Sequence, residues 1–170
     1  FLRHFSVFHI DQCEGIKAKH TKILQQHAQP NETAEQIISA YIQHSGVKLI
    51  HQEGDRAFYR PSTDSVTLPQ LSQFENAAEY YSTAFHELAH STGHPKRLAR
   101  ITEHTNFGSD RYSQEELCAE LSAGFILNSL NLETSASFRN NAAYIANWLK
   151  VLKDDKKMIV SAAGKAEKAA

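Results

Sequence analysis

The stretch TAFHELAHSTGHPKRL, Thr83 to Leu98, sets two histidines four residues apart with a glutamate directly after the first. On a helix, positions i and i+4 lie one above the other, so His86 and His90 can aim their imidazoles at one point with Glu87 beside them. That is two metal ligands and a base. A catalytic zinc site takes three protein ligands and leaves a position to water, so a third ligand must come from elsewhere in the chain. Six other histidines, His4, His9, His20, His27, His44 and His51, form no such pair and read as ordinary core or surface side chains.

The longer motif H-E-x-x-H-x-x-G-x-x-H would place a third histidine at position 96. That position is Lys96; Gly93 fits the motif, but His94 comes two residues early. The next histidine is His104. Glu115, Glu116 and Glu120 follow His90 by 25, 26 and 30 residues, enough chain to turn and lay a second helix alongside, and Glu116 and Glu120 share a helical face. We assign Glu116 to the metal and Glu120 to a supporting role, in which a carboxylate fixes the tautomer of a ligating histidine. Glu115, Glu120 and His104 stay open as alternatives for the third ligand. A competing role exists for Glu116, because Ser113 and Glu116 also fit a capping box.

The expected metal is Zn2+, with Mn2+ or another divalent cation as alternatives. Such an ion lowers the pKa of water to about 7, and Glu87 would take the proton as general base in amide hydrolysis. Tyr112, His94 and His104 are candidates for stabilising the oxyanion. An extended peptide could add to a sheet edge, for which VTLP is the expected segment.

These residues need elements to hold them. TAEQIISAYIQHSG predicts a helix from Thr33, with Thr33 and Gln36 as a capping box, an apolar stripe of Ile37, Ile38, Tyr41 and Ile42, and Gly46 as its end. VKLIHQ, RAFYRP and DSVTLP predict short strands, split by Glu53-Gly54-Asp55 and Pro61-Ser62-Thr63-Asp64. Ser72 and Glu75 suit the start of a second helix that carries Tyr80, Tyr81, Phe85, Leu88 and Ala89 and stops at Gly93 and Pro95. HELAH falls in its last turns. After an irregular segment, YSQEELCAELSAGFILNSL predicts a third helix, and Asn141 to Ala170 a fourth with Trp148 in the core; FSVFHIDQ predicts an opening strand. The fold class expected is α+β: a small antiparallel or mixed sheet beside the HExxH helix, with further packed helices.

A length of 170 residues suits one domain, and we expect residues 1–170 to form it. Hydrophobic residues make up 41%, yet no apolar run approaches the roughly 20 residues of a bilayer crossing. No membrane partner is expected. FLRHFSVFHI lacks the pattern of a signal peptide, and Cys13 and Cys118 form no disulfide framework, so the expected location is cytoplasmic. The net charge of -1 argues against a domain built mainly on phosphate contacts.

The chain resembles the zincin-like metallopeptidase domain of ArdC-type antirestriction proteins and TraC-type plasmid primases. The likeness runs through VFHIDQCEGI, FYRPSTDSVTLPQLSQF, YYSTAFHELAHSTGHPKRL, FGSDRYSQEELCAELSAGFI and YIANWLKVLKDDKKMIVSAAGKAEKAA. It implies the carboxyl-terminal domain of a longer mobile-element protein, an expectation that fits a chain opening on Phe1. It also implies a protein or peptide substrate such as a host defence protein, with single-stranded DNA bound only by an amino-terminal domain not included in this chain. The sequence departs from the family at Ser91, where tryptophan is frequent, and at Ala99, where asparagine is common; the resemblance connects both changes with substrate preference.

Two rival functions stand beside the peptidase. In one, the metal only staples two helices in an interaction module, with a closed coordination sphere. In the other, Lys150, Lys153, Lys156, Lys157, Lys165 and Lys168 bind nucleic acid; interspersed Asp154, Asp155 and Glu167 make a solvated face the expected reading.

Overall fold

The computed structural model describes residues 29–101, 110–132 and 157–170. Cys13, His104, Trp148 and the opening strand lie outside them, as do residues 141–156 of the expected last helix.

The first helix, α1, runs Glu32–Ser45. Its cap is Asn31, whose side chain accepts from the Ala34 N–H, and not Thr33, which lies inside the first turn. Asparagine satisfies the same free donor and leaves Glu32 and Glu35 at the positive end of the helix dipole. Gly46 ends the helix at φ 72, the left-handed region that glycine enters without steric cost, and donates to Ile42 O.

Strands β1 (Lys48–His51), β2 (Phe58–Arg60) and β3 (Ser65–Leu68) form one mixed sheet in the order β1-β3-β2. The pairing of β1 with β3 is parallel, Leu49 opposite Val66, and that of β2 with β3 antiparallel, Tyr59 opposite Val66. Val66 and Leu68 are fully buried. The segment VTLP was expected at an edge. Instead it supplies the central strand, because its β-branched and apolar residues are the ones with no exposed face.

A short 3-10 turn at Leu71–Gln73 precedes helix α2, Ala77–Thr92. Ser72 therefore lies in that turn, and the cap of α2 is Asn76, which accepts from the Glu79 N–H. Tyr80, Tyr81, Ala84, Phe85 and Leu88 pack against Ile38 of α1, Val66 and Leu68 of β3, and Leu127. Tyr81 also reaches α1 through its hydroxyl, which donates to Glu35 at 2.8 Å and accepts from Asn31 N–H at 2.8 Å.

Helix α3, Asp110–Ser129, contributes Ala123 and Leu127 to that core. Its other side packs on α4, Lys157–Ala169, through Leu117, Met158 and Ala162. Ser122 Oγ lies 2.7 Å from Cys118 O and 3.3 Å from Ala166 O, a contact of small side chains that lets the two helices approach. The result is α+β, with α2 packed against β2 and β3 of the three-stranded sheet and against α3.

Candidate metal centre

The buried stripe of α2 settles how the helix is rotated, and this rotation turns His86 and His90 toward α3. Their rings stand edge to face, centroids 4.7 Å apart. The two Nε2 atoms are 3.1 Å apart, and Glu116 brings Oε1 to 3.4 Å from His90 Nε2 and Oε2 to 3.7 Å from His86 Nε2. One ligand atom from each of the three residues lies within 4.8 Å of the others. Two imidazole lone pairs brought this close repel unless a proton or a cation lies between them.

The opposite ring nitrogens are ordered too. Glu120 Oε1 is 3.4 Å from His86 Nδ1, and Glu115 Oε1 is 3.3 Å from His90 Nδ1. A carboxylate at Nδ1 draws the proton there and leaves the Nε2 lone pair for a metal. Glu115 is itself gripped by Arg100, whose Nε and Nη2 donate to its two oxygens at 2.9 Å each. Arg100 also donates to Thr92 Oγ1 and Ala89 O at 2.8 Å, so the same guanidinium clamps the end of α2.

Gly93 makes this arrangement possible. A Cβ there would lie 2.9 Å from Ile101 Cγ1 and 3.1 Å from Glu115 Oε1, so the glycine expected to stop the helix also makes room for Glu115.

Burial disfavours the charged form of His86, but the Glu116 hydrogen bond and the charges of Glu120, Glu87 and Glu116 outweigh it and raise its pKa. Burial acts the other way on Glu116, where hydrogen bonding to His86, the charges of both histidines and the Tyr112 hydrogen bond hold the carboxyl below its usual value. Glu120 is raised, first by burial and then by Glu116, with the histidines opposing. Glu115 stays lowered despite burial because His90 and Arg100 bond to it. With Arg100 matched to Glu115, Glu87 and Glu116 still place negative charge beside the two imidazoles. Two nitrogens and a carboxylate oxygen amid that charge are a donor set that fits a divalent cation.

Glu87 is 9% exposed and lines a cleft of about 400 Å³ together with His86, His90, Glu116 and Tyr112. Phe58 and Tyr59 of β2 form the other wall. Of the candidate oxyanion partners, Tyr112 lines this cleft; His94 does not, and accepts the Lys96 N–H at 3.1 Å instead. Because Asp110–Ser129 is helical throughout, Ser113 lies within the helix and not at its cap, which removes the rival capping role of Glu116. Ser91 and Ala99 are not part of the cleft wall. Ser91 is buried, 2.7 Å from the Tyr41 hydroxyl, and Ala99 adopts φ 52, a left-handed conformation that asparagine tolerates better than alanine. His51 bonds to the Tyr80 hydroxyl at 2.8 Å, far from any ligand role.

Sequence reasoning missed Arg100 and the position of Glu115 at His90 Nδ1. For Glu115 there was a signal, since any helix that presents Glu116 to one histidine carries its neighbour alongside. Arg100 offered none.

The pattern of a zincin-like metallopeptidase family, MPTase-PolyVal, matches residues 34–165. DNA primase TraC of Escherichia coli is 43% identical over 163 residues, covering 96% of this chain and 14% of that protein. An uncharacterized protein of Sinorhizobium fredii, y4eC, is 36% identical over 170 residues, 100% of this chain and 53% of that one. The chain thus spans only part of these curated relatives. The Mn(II)-bound crystal structure of the antirestriction protein ArdC from plasmid R388 matches with a TM-score of 0.67 at 33% identity, covering 99% of this chain and 60% of that one. Its metal-free form matches at 0.61 and 36%, covering 95% and 56%.

Proposed function

The chain belongs to the zincin-like metallopeptidase family, and from that premise we propose that it hydrolyses peptide bonds, with His86, His90 and Glu116 holding a divalent cation and Glu87 as general base. The observation that carries this reading is the ordering of both imidazoles at both nitrogens. Each Nε2 turns to Glu116, while each Nδ1 meets a carboxylate of its own, Glu120 or Glu115. Such double ordering is the support that a ligating histidine receives. Zinc is the first choice for this donor set, and Mn2+ the second, since the ArdC structure is Mn(II)-bound.

A cation held there brings the pKa of water down to about 7 and polarises a peptide carbonyl. Glu87, next to His86 on the cleft wall, takes the proton of the attacking water on a carboxylate oxygen and returns it to the departing amine nitrogen. Tyr112 is the hydroxyl proposed to meet the oxyanion. Among the described residues β2 pairs only with β3, which leaves its outer edge for an extended peptide beside Phe58 and Tyr59.

On the same reading the chain is the carboxyl-terminal domain of a longer cytoplasmic protein of a mobile element. Its substrate is a protein, such as a host defence factor, and single-stranded DNA is left to another domain.

The test is metal analysis of untagged protein purified without chelators, with hydrolysis of a quenched fluorescent peptide library as the second readout. Glu87→Gln is expected to keep the metal and lose turnover by about 100-fold or more. Glu116→Ala should lose most of the metal. If both variants hold metal as the parent does, the ligand assignment is wrong; if the parent binds metal and cleaves no peptide, the helix-stapling reading replaces the peptidase.

A further inference from the structure

Beside the metal ligands and Glu87, the cleft is lined by Ala57, Phe58, Tyr59 and Pro61, from β2 and its flanks, and by Ile101 from the segment after α2. Three of these side chains are held in place by contacts outside the cleft. Tyr59 has one polar side-chain atom, and that hydroxyl donates to Asp64 at 2.9 Å and accepts from Arg97 at 3.4 Å, so ring carbons are what it has left for a ligand. Phe58 alternates to the other face of β2, where the Arg60 guanidinium lies 5.2 Å from its ring centroid. Ile101 donates its N–H to Gly93 O at 2.9 Å, and a Cβ added at Gly93 would come within 2.9 Å of its Cγ1, so the side chain rests on that glycine. Ala57, Phe58, Tyr59 and Ile101 are nonetheless only half-buried, which leaves apolar surface for a ligand to cover.

A wall fixed before binding loses little entropy when a ligand arrives, and apolar area covered there adds affinity in proportion. An acidic side chain seated against it would exchange hydration for carbon and stand near Glu87 and Glu116. At about 400 Å³ the cleft is near the lower end of ligand sites, which suits a backbone segment with one large side chain. We propose that this wall selects the substrate, a protein or peptide with a large apolar residue, branched or aromatic, next to the scissile bond. The selection rests on the peptidase reading, and binding tests it apart from turnover.

The experiment is calorimetric titration of the zinc-loaded chain with four peptide hydroxamates. They share one backbone and carry leucine, phenylalanine, glycine or aspartate next to the hydroxamate, which anchors each of them on the metal. The leucine and phenylalanine forms are expected to bind at least about tenfold more tightly than the glycine form, with the aspartate form weakest. Phe58→Ala should shrink the ratio of leucine to glycine binding by roughly fivefold, with metal content equal to the parent's. Phe58→Lys should move the preference to the aspartate form, a switch that a general loosening of the fold does not produce. Four hydroxamates that bind alike, a failure of all four to bind, or a preference that ignores both Phe58 variants would overturn the proposal. If the expected order holds and no peptide of a library is cleaved, the apolar selection stands and the peptidase reading falls; if peptides are cleaved while the four bind alike, the outcome is the reverse.

Discussion

Arg100 stands ten residues beyond His90 in sequence, yet its side chain joins both helices of the metal centre. Two of its hydrogen bonds hold Glu115 against His90, and two hold the end of α2. Arg100 and Glu115 are 8% and 6% exposed, so removing the guanidinium would strand a buried carboxylate. Arg100→Ala is therefore expected to destabilise the fold by about 3 kcal/mol. It should also weaken metal binding by roughly 10- to 100-fold, because Glu115 would no longer hold the His90 ring in place. Competition titration against a chromogenic chelator and urea unfolding measure the two effects. Arg100→Lys should fall between, since an ammonium keeps the charge and loses the fork. Metal affinity equal to the parent's in Arg100→Ala would show that Glu115 needs no such support. At this scale HELAH was legible because its geometry is local: four residues are one turn of one helix. The Arg100–Glu115 pair was not, since its partners stand 15 residues apart in sequence and meet only through tertiary packing.

Between elements, a second arginine does comparable work. Arg97 donates to Ser91 O of α2 at 2.7 Å, to Ser45 O at the end of α1 at 3.3 Å, and to Asp64 in the turn between β2 and β3 at 3.0 Å. Its second arm also meets Asp64 and reaches the Tyr59 hydroxyl. This junction holds the β2 wall of the cleft at its distance from α2. The Arg97 guanidinium keeps the Asp64 carboxyl below its ordinary value, against the opposing effect of burial. The pH dependence follows from that lowered pKa. The stabilisation is fully present above the unfolded value near 3.9 and fades as pH falls through the folded one. Asp64→Asn should cost about 2 kcal/mol at pH 7, and the gap between variant and parent should narrow at pH 3, as read by urea unfolding at the two values. Asparagine tolerates the φ of 47 at this position, so the comparison leaves the backbone aside and reads the charge together with the one acceptor oxygen that the amide replaces. A gap that stays constant with pH would refute it. Among the described residues, the helices and strands were legible from apolar periodicity, while their starts were not. Asn31 and Asn76 cap where Thr33 and Ser72 were expected, because several neighbouring residues could each satisfy the same free N–H groups and tertiary contacts select among them.

For the molecule as a whole, the proposed ligands come from two helices, α2 giving His86 and His90 and α3 giving Glu116. A cation bound by both should stabilise the folded state by mass action, about 2.7 kcal/mol at a hundredfold excess over Kd. For a chain of this size that is a rise in Tm of roughly 5 to 10 °C. Scanning calorimetry with and without zinc is expected to show it. Glu87→Gln should keep the rise and Glu116→Ala should abolish it; a Tm that ignores zinc in the parent would count against the site. Among the described residues, the sequence by itself determined the elements and the pairing of His86 with His90, since both depend on periodicities within a few residues. Only the tertiary structure decided that β3 lies at the centre of the sheet, that Glu116 converges with the histidines, and that Glu115 and Glu120 stand at their opposite nitrogens. Those outcomes depend on how α3 is rotated and seated against α2, and that rotation is set by the burial of Leu117, Ala123 and Leu127 on several neighbours at once.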